Sequence, residues 1–178
     1  AAYYGLFGER VFEDFEQRFL KRDVQRDIAR AIVSPGNLFR LTSPYFGRTD
    51  VAAEYLDAQL FEGRTFADMA RSVGTGGQPF VLINATDMAR ISRFEFTQDQ
   101  FDLLCSDLGR MPVARAVAAS SAVPVIFSPL TLSNYAGHCG HMLPAWIQNA
   151  ADDPATSRRR HALASDLLSY TDHHTRRY

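Results

Sequence analysis

Ser120 and Ser121 are the side chains of this sequence whose type first suggests nucleophilic chemistry. An exposed catalytic serine usually lies at a sharp turn from strand to helix, between glycines. These two serines lie between alanines, and the pattern Gly-x-Ser-x-Gly occurs nowhere in the chain. Pro112 and Pro124 bracket the run, which predicts a helix that packs closely against a neighbouring backbone. We therefore expect each hydroxyl to bond a nearby carbonyl, with a role as nucleophile as the alternative.

His138, Cys139 and His141 form a second group with chemical potential. Imidazole and thiolate are ligands that zinc favours, and a thiol beside a histidine can also act as an activated nucleophile. The three residues are too close in sequence for a standard pair of ligand pairs, and no second Cys-x-x-Cys or His-x-x-x-His occurs. A partly exposed structural loop is the interpretation that the spacing favours, and we predict no metal site.

The stretch Asn84-Ala85-Thr86-Asp87 has the position of a binding site in an α/β protein. It follows the continuous apolar run at residues 80–85, which predicts a strand buried on both faces of a parallel sheet. Ligands of such sheets gather at the carboxyl ends of strands. Asp87 could orient a partner there or accept hydrogen bonds from loop amides. The alternative is an Asx-type turn that leaves the strand.

Other parts of the sequence predict the helices and strands that could position these groups. An amphipathic helix is predicted at residues 11–31, and Thr49 or Asp50 is expected to cap the next helix. Further helices are predicted to begin at Thr65, near Pro112 and at Pro154 or Thr156, and strands at residues 80–85, 94–97 and 125–127. Alternating strands and helices predict one α/β layered domain. Arg158, Arg159 and Arg160 are expected to be solvated, as are His173 and His174 near the final helix.

Composition excludes several functional classes. The 178 residues carry a net charge of -1, which gives no overall field to attract nucleic acid or an anionic membrane surface and leaves only a local patch open. No apolar run reaches the length of a spanning helix. Two cysteines do not form a disulfide framework, and we expect free thiols. The glycine-rich loop at residues 74–79 lacks the Lys-Ser/Thr of a phosphate-binding loop, so no cofactor is predicted. Residues 1–4 lack the features of a signal peptide, and localisation stays open.

Three stretches together resemble the bacterial patatin-like phospholipases. They are residues 80–87 (FVLINATD), residues 112–129 with an Ala-Ser-x-Ala-x-Pro core, and residues 50–63. The likeness extends from about residue 3 to residue 130. It implies an α/β-hydrolase-related layered fold, with a central sheet between helices, and hydrolysis of lipid acyl esters. A lipid or acyl-ester substrate and peripheral contact with a membrane are the partners that it implies.

The resemblance also implies a Ser–Asp dyad, with the serine in Gly-x-Ser-x-Gly and the aspartate in Asp-Gly-Gly or Asp-Gly-Ala. Neither motif occurs in the chain, so no catalytic residue is assigned within it. We expect an incomplete segment, inactive alone, with the serine before Ala1 and the aspartate after Tyr178. The alternative is a non-catalytic lipid-binding or interaction module, either a pseudoenzyme or a truncated product.

Seven apolar side chains are the candidates to line an acyl-chain pocket in such a protein. They are Phe7, Phe12, Phe15, Leu38, Phe39, Tyr45 and Phe46, of which Phe7, Phe12, Tyr45 and Phe46 are the leading ones. Membership of an ordinary hydrophobic core is the alternative for each of them.

Overall fold

A computed structural model of the chain describes residues 1–123 and 126–171. The structure is mixed α/β, as predicted, and its sheet consists of two antiparallel strands among the described residues. The chain packs as two compact units. Unit 1 comprises Ala1–Ala85 and Gly109–Leu130, and unit 2 comprises Thr86–Leu108 and the described chain from Thr131 onward. Whether the whole forms one domain stays a prediction.

Helices make up most of the regular structure. They are α1 (Ala2–Phe7), α2 (Arg10–Phe15), α3 (Val24–Ile32), α4 (Pro35–Arg40), α5 (Arg48–Leu56), α6 (Phe66–Gly76), α7 (Gln98–Leu103), α8 (Val113–Ser121), α9 (Ala145–Asp152) and α10 (Arg158–Tyr170). The strands β1 (Asn84–Asp87) and β2 (Ser92–Glu95) form a hairpin. The π-helical segments Glu16–Leu20 and Asp57–Phe61 continue α2 and α5, and Leu108–Arg110 is a 3₁₀ turn.

Close packing of α8 against α5 forms the centre of unit 1. The inward face of α8 carries Val113, Ala114 and Ala116, all essentially without exposed surface. Small side chains also fill the facing part of α5, where Ala52 and Ala53 are buried. Small buried side chains on both helices allow their backbones to approach closely, and the prediction of a closely packed helix after Pro112 is confirmed.

A buried carboxylate connects the two helices at the start of α5. Asp50 accepts a hydrogen bond from the Gly47 amide at 2.9 Å and lies 3.2 Å from a guanidinium nitrogen of Arg115 on α8. Gly47 occupies the N-cap position, so neither Thr49 nor Asp50 is the N-cap residue that the sequence predicts. Thr49 instead donates its hydroxyl hydrogen to the Ser128 carbonyl and thereby holds the segment after α8.

The predicted helix at residues 11–31 is interrupted. Its N-terminal part is α2 with the following π-helical segment, and a new helix begins at Val24. The cause is Asp23, whose carboxylate accepts a hydrogen bond from the Arg26 amide at 3.1 Å and caps α3. Capping by a side chain competes with a continuous helix, and here it outweighs the amphipathic periodicity of residues 11–31.

The predicted buried strand at residues 80–85 is wrong for most of its length. Extended pairing begins only at Asn84, and the hairpin is antiparallel. Phe80 is 75% exposed and Leu82 is 42% exposed, whereas Ile83 is buried. The predicted strand at residues 125–127 is also not buried at Ile126, which is 59% exposed. Apolar content alone cannot distinguish a buried strand from an extended segment that has no neighbour to pair with.

Four predictions concern residues outside the described part of the chain. They are the helix stop at Pro124, the strand position Val125, and the solvated histidines His173 and His174. The final helix begins at Arg158 with Ser157 as its cap, rather than at Pro154 or Thr156. Its three N-terminal arginines are exposed, as expected for a solvated basic patch.

Unit 2 has an aromatic core beside its hairpin. Phe94 contacts Phe96, Phe101 and Tyr170 with ring centroids 5.3–6.0 Å apart, in edge-to-face orientations. The four rings are buried, so this cluster joins β2, α7 and the end of α10. A smaller apolar contact forms where Ile147 and Ala150 of α9 meet α10. The sequence did not predict α9.

A disulfide between Cys105 and Cys139 contradicts the prediction of free thiols. It connects the turn after α7 with the loop before α9, across 34 positions of sequence. The loop at residues 131–144 has almost no regular structure. The disulfide, rather than repeating backbone hydrogen bonds, fixes its position relative to the turn after α7. Pairing of cysteines that far apart depends on the fold and could not be read from their spacing.

The α5–α8 contact gives the first prediction. Replacing Ala116→Leu forces three additional carbon atoms into a helix interface without free space. We expect a loss of about 1–3 kcal/mol in the free energy of unfolding, measured by urea denaturation. The matched control is Ser120→Leu on the exposed end of the same helix, which should change stability by no more than about 0.5 kcal/mol. Equal effects of the two substitutions would contradict close packing at Ala116.

The disulfide gives the second prediction. The double variant Cys105→Ser/Cys139→Ser should unfold at lower temperature, with a loss of about 2–4 kcal/mol, because a loop of this length becomes free in the unfolded chain. Reduction of the unmodified protein by dithiothreitol should reproduce the loss and leave the variant unchanged. Thiol titration of the denatured, unreduced protein provides a direct check, and two reactive thiols per chain would disprove the bond.

Candidate functional site

Asp87, the acidic residue singled out from the sequence, lies in a buried polar pair of unit 2. The Tyr170 hydroxyl donates a hydrogen bond of 2.7 Å to Oδ2 of Asp87. Both side chains are buried, and Tyr170 retains only 2% exposure. The two residues are 83 positions apart in sequence, so the contact connects the C-terminal end of α10 with the hairpin.

Burial, reinforced by the hydrogen bond to Asp87, raises the pKa of the Tyr170 phenol above its ordinary value of 10.0. Desolvation disfavours the phenolate, and the neighbouring carboxylate disfavours it further. Tyr170 therefore keeps its proton at neutral pH. A phenol that holds its proton and is almost fully buried is a poor general base, and the pair acts as a structural link between α10 and the hairpin.

The other carboxylate oxygen of Asp87 belongs to a turn. Oδ1 accepts a hydrogen bond of 2.8 Å from the Ala89 amide, two residues further along the chain. This is the Asx-type turn that the sequence offered as the alternative to a ligand site. Asn84, at the start of β1, has a buried Oδ1 without a hydrogen-bond partner among the described residues.

Ser120 and Ser121 are both exposed at the C-terminal end of α8. In the part of the chain that the structure describes, neither hydroxyl forms the predicted bond to a carbonyl. The residues of α8 that pack closely are alanines and Val113 on the opposite face. No histidine, aspartate or glutamate activates either serine through a hydrogen bond within the described ranges, so the structure provides no base for a nucleophile there.

The group at His138, Cys139 and His141 does not assemble a metal site. Cys139 is bonded to Cys105, which removes its thiolate from both the ligand and the nucleophile interpretations. All three residues are exposed. Among the described residues, no three His, Cys, Asp or Glu side chains converge as metal ligands would. The structure agrees with the interpretation of an exposed structural loop.

Two of the pocket candidates lie in an aromatic cluster at the N-terminus of unit 1. The buried ring of Tyr3 is 4.7 Å from Phe7 and 5.5 Å from Phe15, measured between centroids. The Arg10 guanidinium lies 5.1 Å from the centre of the Phe7 ring. Phe7 and Phe15 are half-buried in this cluster, while Phe12 is 76% exposed and its ring lies 6.4 Å from that of Tyr4.

The remaining candidates lie on and after α4. Leu38, Phe39 and Tyr45 are exposed, whereas the ring of Phe46 is covered by the Arg40 guanidinium at 3.8 Å from its centroid. The leading candidates thus lie in two places in the structure, Phe7 and Phe12 on α1 and α2, and Tyr45 and Phe46 after α4. Their role as pocket residues stays a prediction.

The sequence analysis did not predict two side-chain pairs, one in each unit, that connect separate elements of that unit. Tyr170 gave no signal, because its partner Asp87 is remote in sequence and the hydrophobic pattern of α10 is weak there. Arg40 and Glu54 were also missed, although their opposite charges in adjacent helices are a detectable signal.

Comparison with protein-family models, with curated proteins and with solved structures finds no match for the chain. Within the described residues, no helix has both the length and the apolar character needed to traverse a bilayer.

The buried pair gives the third prediction. Tyr170→Phe leaves Oδ2 of Asp87 buried without its donor, so the free energy of unfolding at pH 7 should fall by about 1–3 kcal/mol. Tyr135→Phe is the matched control in the same unit, because that tyrosine side chain is exposed. An unchanged stability of Tyr170→Phe would contradict a structural role for the bond.

The pKa shift of Tyr170 adds a pH dependence to that test. Its pKa is higher in the folded chain than in the unfolded chain, so its contribution is complete below about pH 10 and declines as the pH rises above that value. Urea denaturation between pH 8 and about pH 11 should therefore show the difference between the unmodified protein and Tyr170→Phe narrowing above pH 10. A constant difference across this range would contradict the raised pKa.

Proposed function

We propose that the chain forms part of a patatin-like lipid acyl hydrolase whose catalytic serine precedes Ala1 and whose aspartate follows Tyr178. The observation that carries the proposal is the combination of three family-like stretches, at residues 50–63, 80–87 and 112–129. Two of these stretches contain α5 and α8, the helices that pack most closely in unit 1. The resemblance thus involves the residues on which the packing of that unit depends.

The exposed apolar segments support the idea of an incomplete sheet. Phe80, Leu82, Val123 and Ile126 belong to unit 1 and lie in or next to stretches with strand character, yet all four are more than 40% exposed. A sheet extended by further strands would cover such side chains and pair the extended backbone beside them. A patatin-like layered fold with a central sheet between helices would supply that cover.

In such a protein the serine oxygen attacks the carbonyl carbon of the acyl ester while the aspartate accepts the serine proton. The alcohol leaves with a proton, and an acyl-enzyme remains. Water then attacks the acyl-enzyme and releases the fatty acid. Backbone amides stabilise the oxyanion at both steps, by about 3 kcal/mol for one donor. The present chain contributes packing helices and apolar surface to this chemistry.

A second candidate is a non-catalytic lipid-binding or interaction module. The specific observation in its favour is that the chain carries neither Gly-x-Ser-x-Gly nor Asp-Gly-Gly. The disulfide between Cys105 and Cys139 fits either candidate in an oxidising compartment, since such bonds persist there.

The fourth prediction separates the two candidates. The full protein encoded by the gene should hydrolyse p-nitrophenyl acyl esters, and replacing the predicted serine before Ala1 with alanine should lower kcat by about a thousandfold or more. The matched control is Ser120→Ala/Ser121→Ala, which should retain activity because both hydroxyls lie on a structural helix.

Two results would contradict the hydrolase proposal. One is hydrolysis that survives loss of the predicted serine. The other is a gene that encodes no Gly-x-Ser-x-Gly shortly before Ala1 and no Asp-Gly-Gly or Asp-Gly-Ala shortly after Tyr178. A protein that binds lipid but hydrolyses no ester would favour the non-catalytic module.

A further inference from the structure

Four side chains form an exposed surface where α9 packs against α10 in unit 2. Arg159 and Arg160 lie in the first turn of α10, and both are exposed. The guanidinium carbon of Arg160 lies 5.9 Å from the centroid of the Trp146 ring on α9. Leu163 follows these arginines by four and three positions, which places it on the same face of the helix. Trp146 is 37% exposed and Leu163 is 51% exposed, and we call these four residues the Arg–Trp surface.

Three arginines of this region lack a counter-ion among the described residues. Residues 154–165 contain arginines at positions 158–160 and no aspartate or glutamate. Within the part of the chain that the structure describes, none of the three guanidinium groups forms an ion pair or a hydrogen bond. The nearest carboxylate before them along the chain, that of Asp153, accepts from the Ala155 amide at 2.9 Å and closes its own turn. The positive charge at the start of α10 is therefore available to a partner.

The contact with Trp146 leaves the hydrogen-bonding capacity of Arg160 unused. A guanidinium is attracted to an aromatic ring through the charge of the cation, and it needs no hydrogen-bond acceptor for this. Its N–H donors form a planar fork that matches the two oxygens of a carboxylate. Bidentate bonds of this kind are shorter and stronger than hydrogen bonds between neutral groups. Arg159 and Arg160 can therefore each hold a carboxylate, while Trp146 limits the orientations of Arg160.

A protein segment fits this surface better than a nucleic acid does. Tryptophan and arginine are enriched in protein interfaces and among the residues that contribute most to their affinity. Trp146 and Leu163 also offer apolar area, which a partner covers best with an apolar side chain. Asp152, Asp153 and Asp166 lie on the same two helices or in their connection, and their charges would repel a long phosphate backbone. A short segment that combines carboxylates with an apolar residue matches both the charge and the apolar area.

We propose that the Arg–Trp surface binds a carboxylate-rich segment of a partner protein. Carboxylates of that segment pair with Arg159 and Arg160, and one of its apolar side chains packs against Trp146 and Leu163. The interaction is independent of the proposed function, because it needs neither a serine nor an aspartate outside the chain. A second copy of the chain is a poorer occupant, since a symmetric contact would bring the same arginines of two copies together.

Fluorescence anisotropy with the full protein and defined peptides tests the proposal. A fluorescein-labelled peptide of Glu-Glu-Leu repeats should bind, and its affinity should fall as the salt concentration rises. A peptide of Gln-Gln-Leu repeats should bind about tenfold more weakly or less, because it offers no negative charge to the arginines. A peptide of Glu-Glu-Ser repeats should also bind more weakly, because it has no apolar side chain to cover Trp146 and Leu163.

Two variants assign the binding to the Arg–Trp surface. Arg159→Gln/Arg160→Gln should lower the affinity for the Glu-Glu-Leu peptide by about tenfold or more and reduce its salt dependence. Leu163→Ser should lower that affinity by about threefold, and it carries the test if the glutamine variant fails to fold, as judged by thermal unfolding. The matched control is Arg90→Gln/Arg110→Gln, which removes the same charge from two exposed arginines elsewhere and should bind normally.

The outcomes distinguish the protein segment from other partners. The proposal is overturned if the folded variant at Arg159 and Arg160 binds the Glu-Glu-Leu peptide as tightly as the control variant does, or if no binding is seen up to about 1 mM peptide. A fluorescein-labelled single-stranded oligonucleotide that binds through these arginines, with no peptide binding, would replace the protein segment by nucleic acid. A dimer that Arg159→Gln/Arg160→Gln converts to a monomer, again without peptide binding, would replace it by self-association.

Discussion

Unit 1 depends on the close approach of α5 and α8, which the small side chains of both helices permit. Ala116 has no exposed surface, and Ala52 and Ala53 leave little volume between the helices. At this separation a polar contact can cross from one helix to the other over a short distance, as Asp50 and Arg115 do. The buried carboxylate is compensated because it also accepts from the Gly47 amide.

The same contact constrains Gly47. A Cβ atom at this position would lie 2.1 Å from Oγ of Ser128, in the segment that follows α8. The absence of a side chain thus allows that segment to reach Thr49 and bond with it. Small residues at Gly47, at Ala52 and Ala53, and at Ala116 therefore serve one purpose, which is to bring α5, α8 and the chain after α8 together.

Unit 2 is stabilised differently, by links between residues that are remote in sequence. The Cys105–Cys139 bond connects the turn after α7 with the loop before α9, and the Asp87–Tyr170 pair connects the hairpin with the end of α10. The side chain of Asn134 also donates to the Tyr170 carbonyl at 3.1 Å. The loop at residues 131–144 is therefore held by the side chains of Cys139 and Asn134 and not by the backbone hydrogen bonds of a sheet or helix.

This difference explains which features were predictable. The helices α6 and α8 follow from local signals, a Thr65 cap and a proline start, and both form where expected. The break at Asp23 was missed because its capping side chain lies inside an amphipathic pattern that by itself predicts one continuous helix. The disulfide and the Asp87–Tyr170 pair involve contacts over 34 and 83 positions, which no local pattern encodes. Among the site candidates, the Asx turn at Asp87 was predictable for the same reason as the helices, because its partner is two residues away.

Exposed apolar side chains in unit 1 lie on two kinds of backbone. Leu38 and Phe39 belong to α4, where the Leu38 amide donates to the Ser34 carbonyl at 2.8 Å. Residues 80–83 belong to no helix or strand of the structure, although Phe80 and Leu82 are apolar and exposed. Another strand can pair the backbone of such a segment and cover both side chains at the same time. A helix uses its backbone groups internally, so a sheet neighbour is a partner that residues 80–83 can accept and α4 cannot.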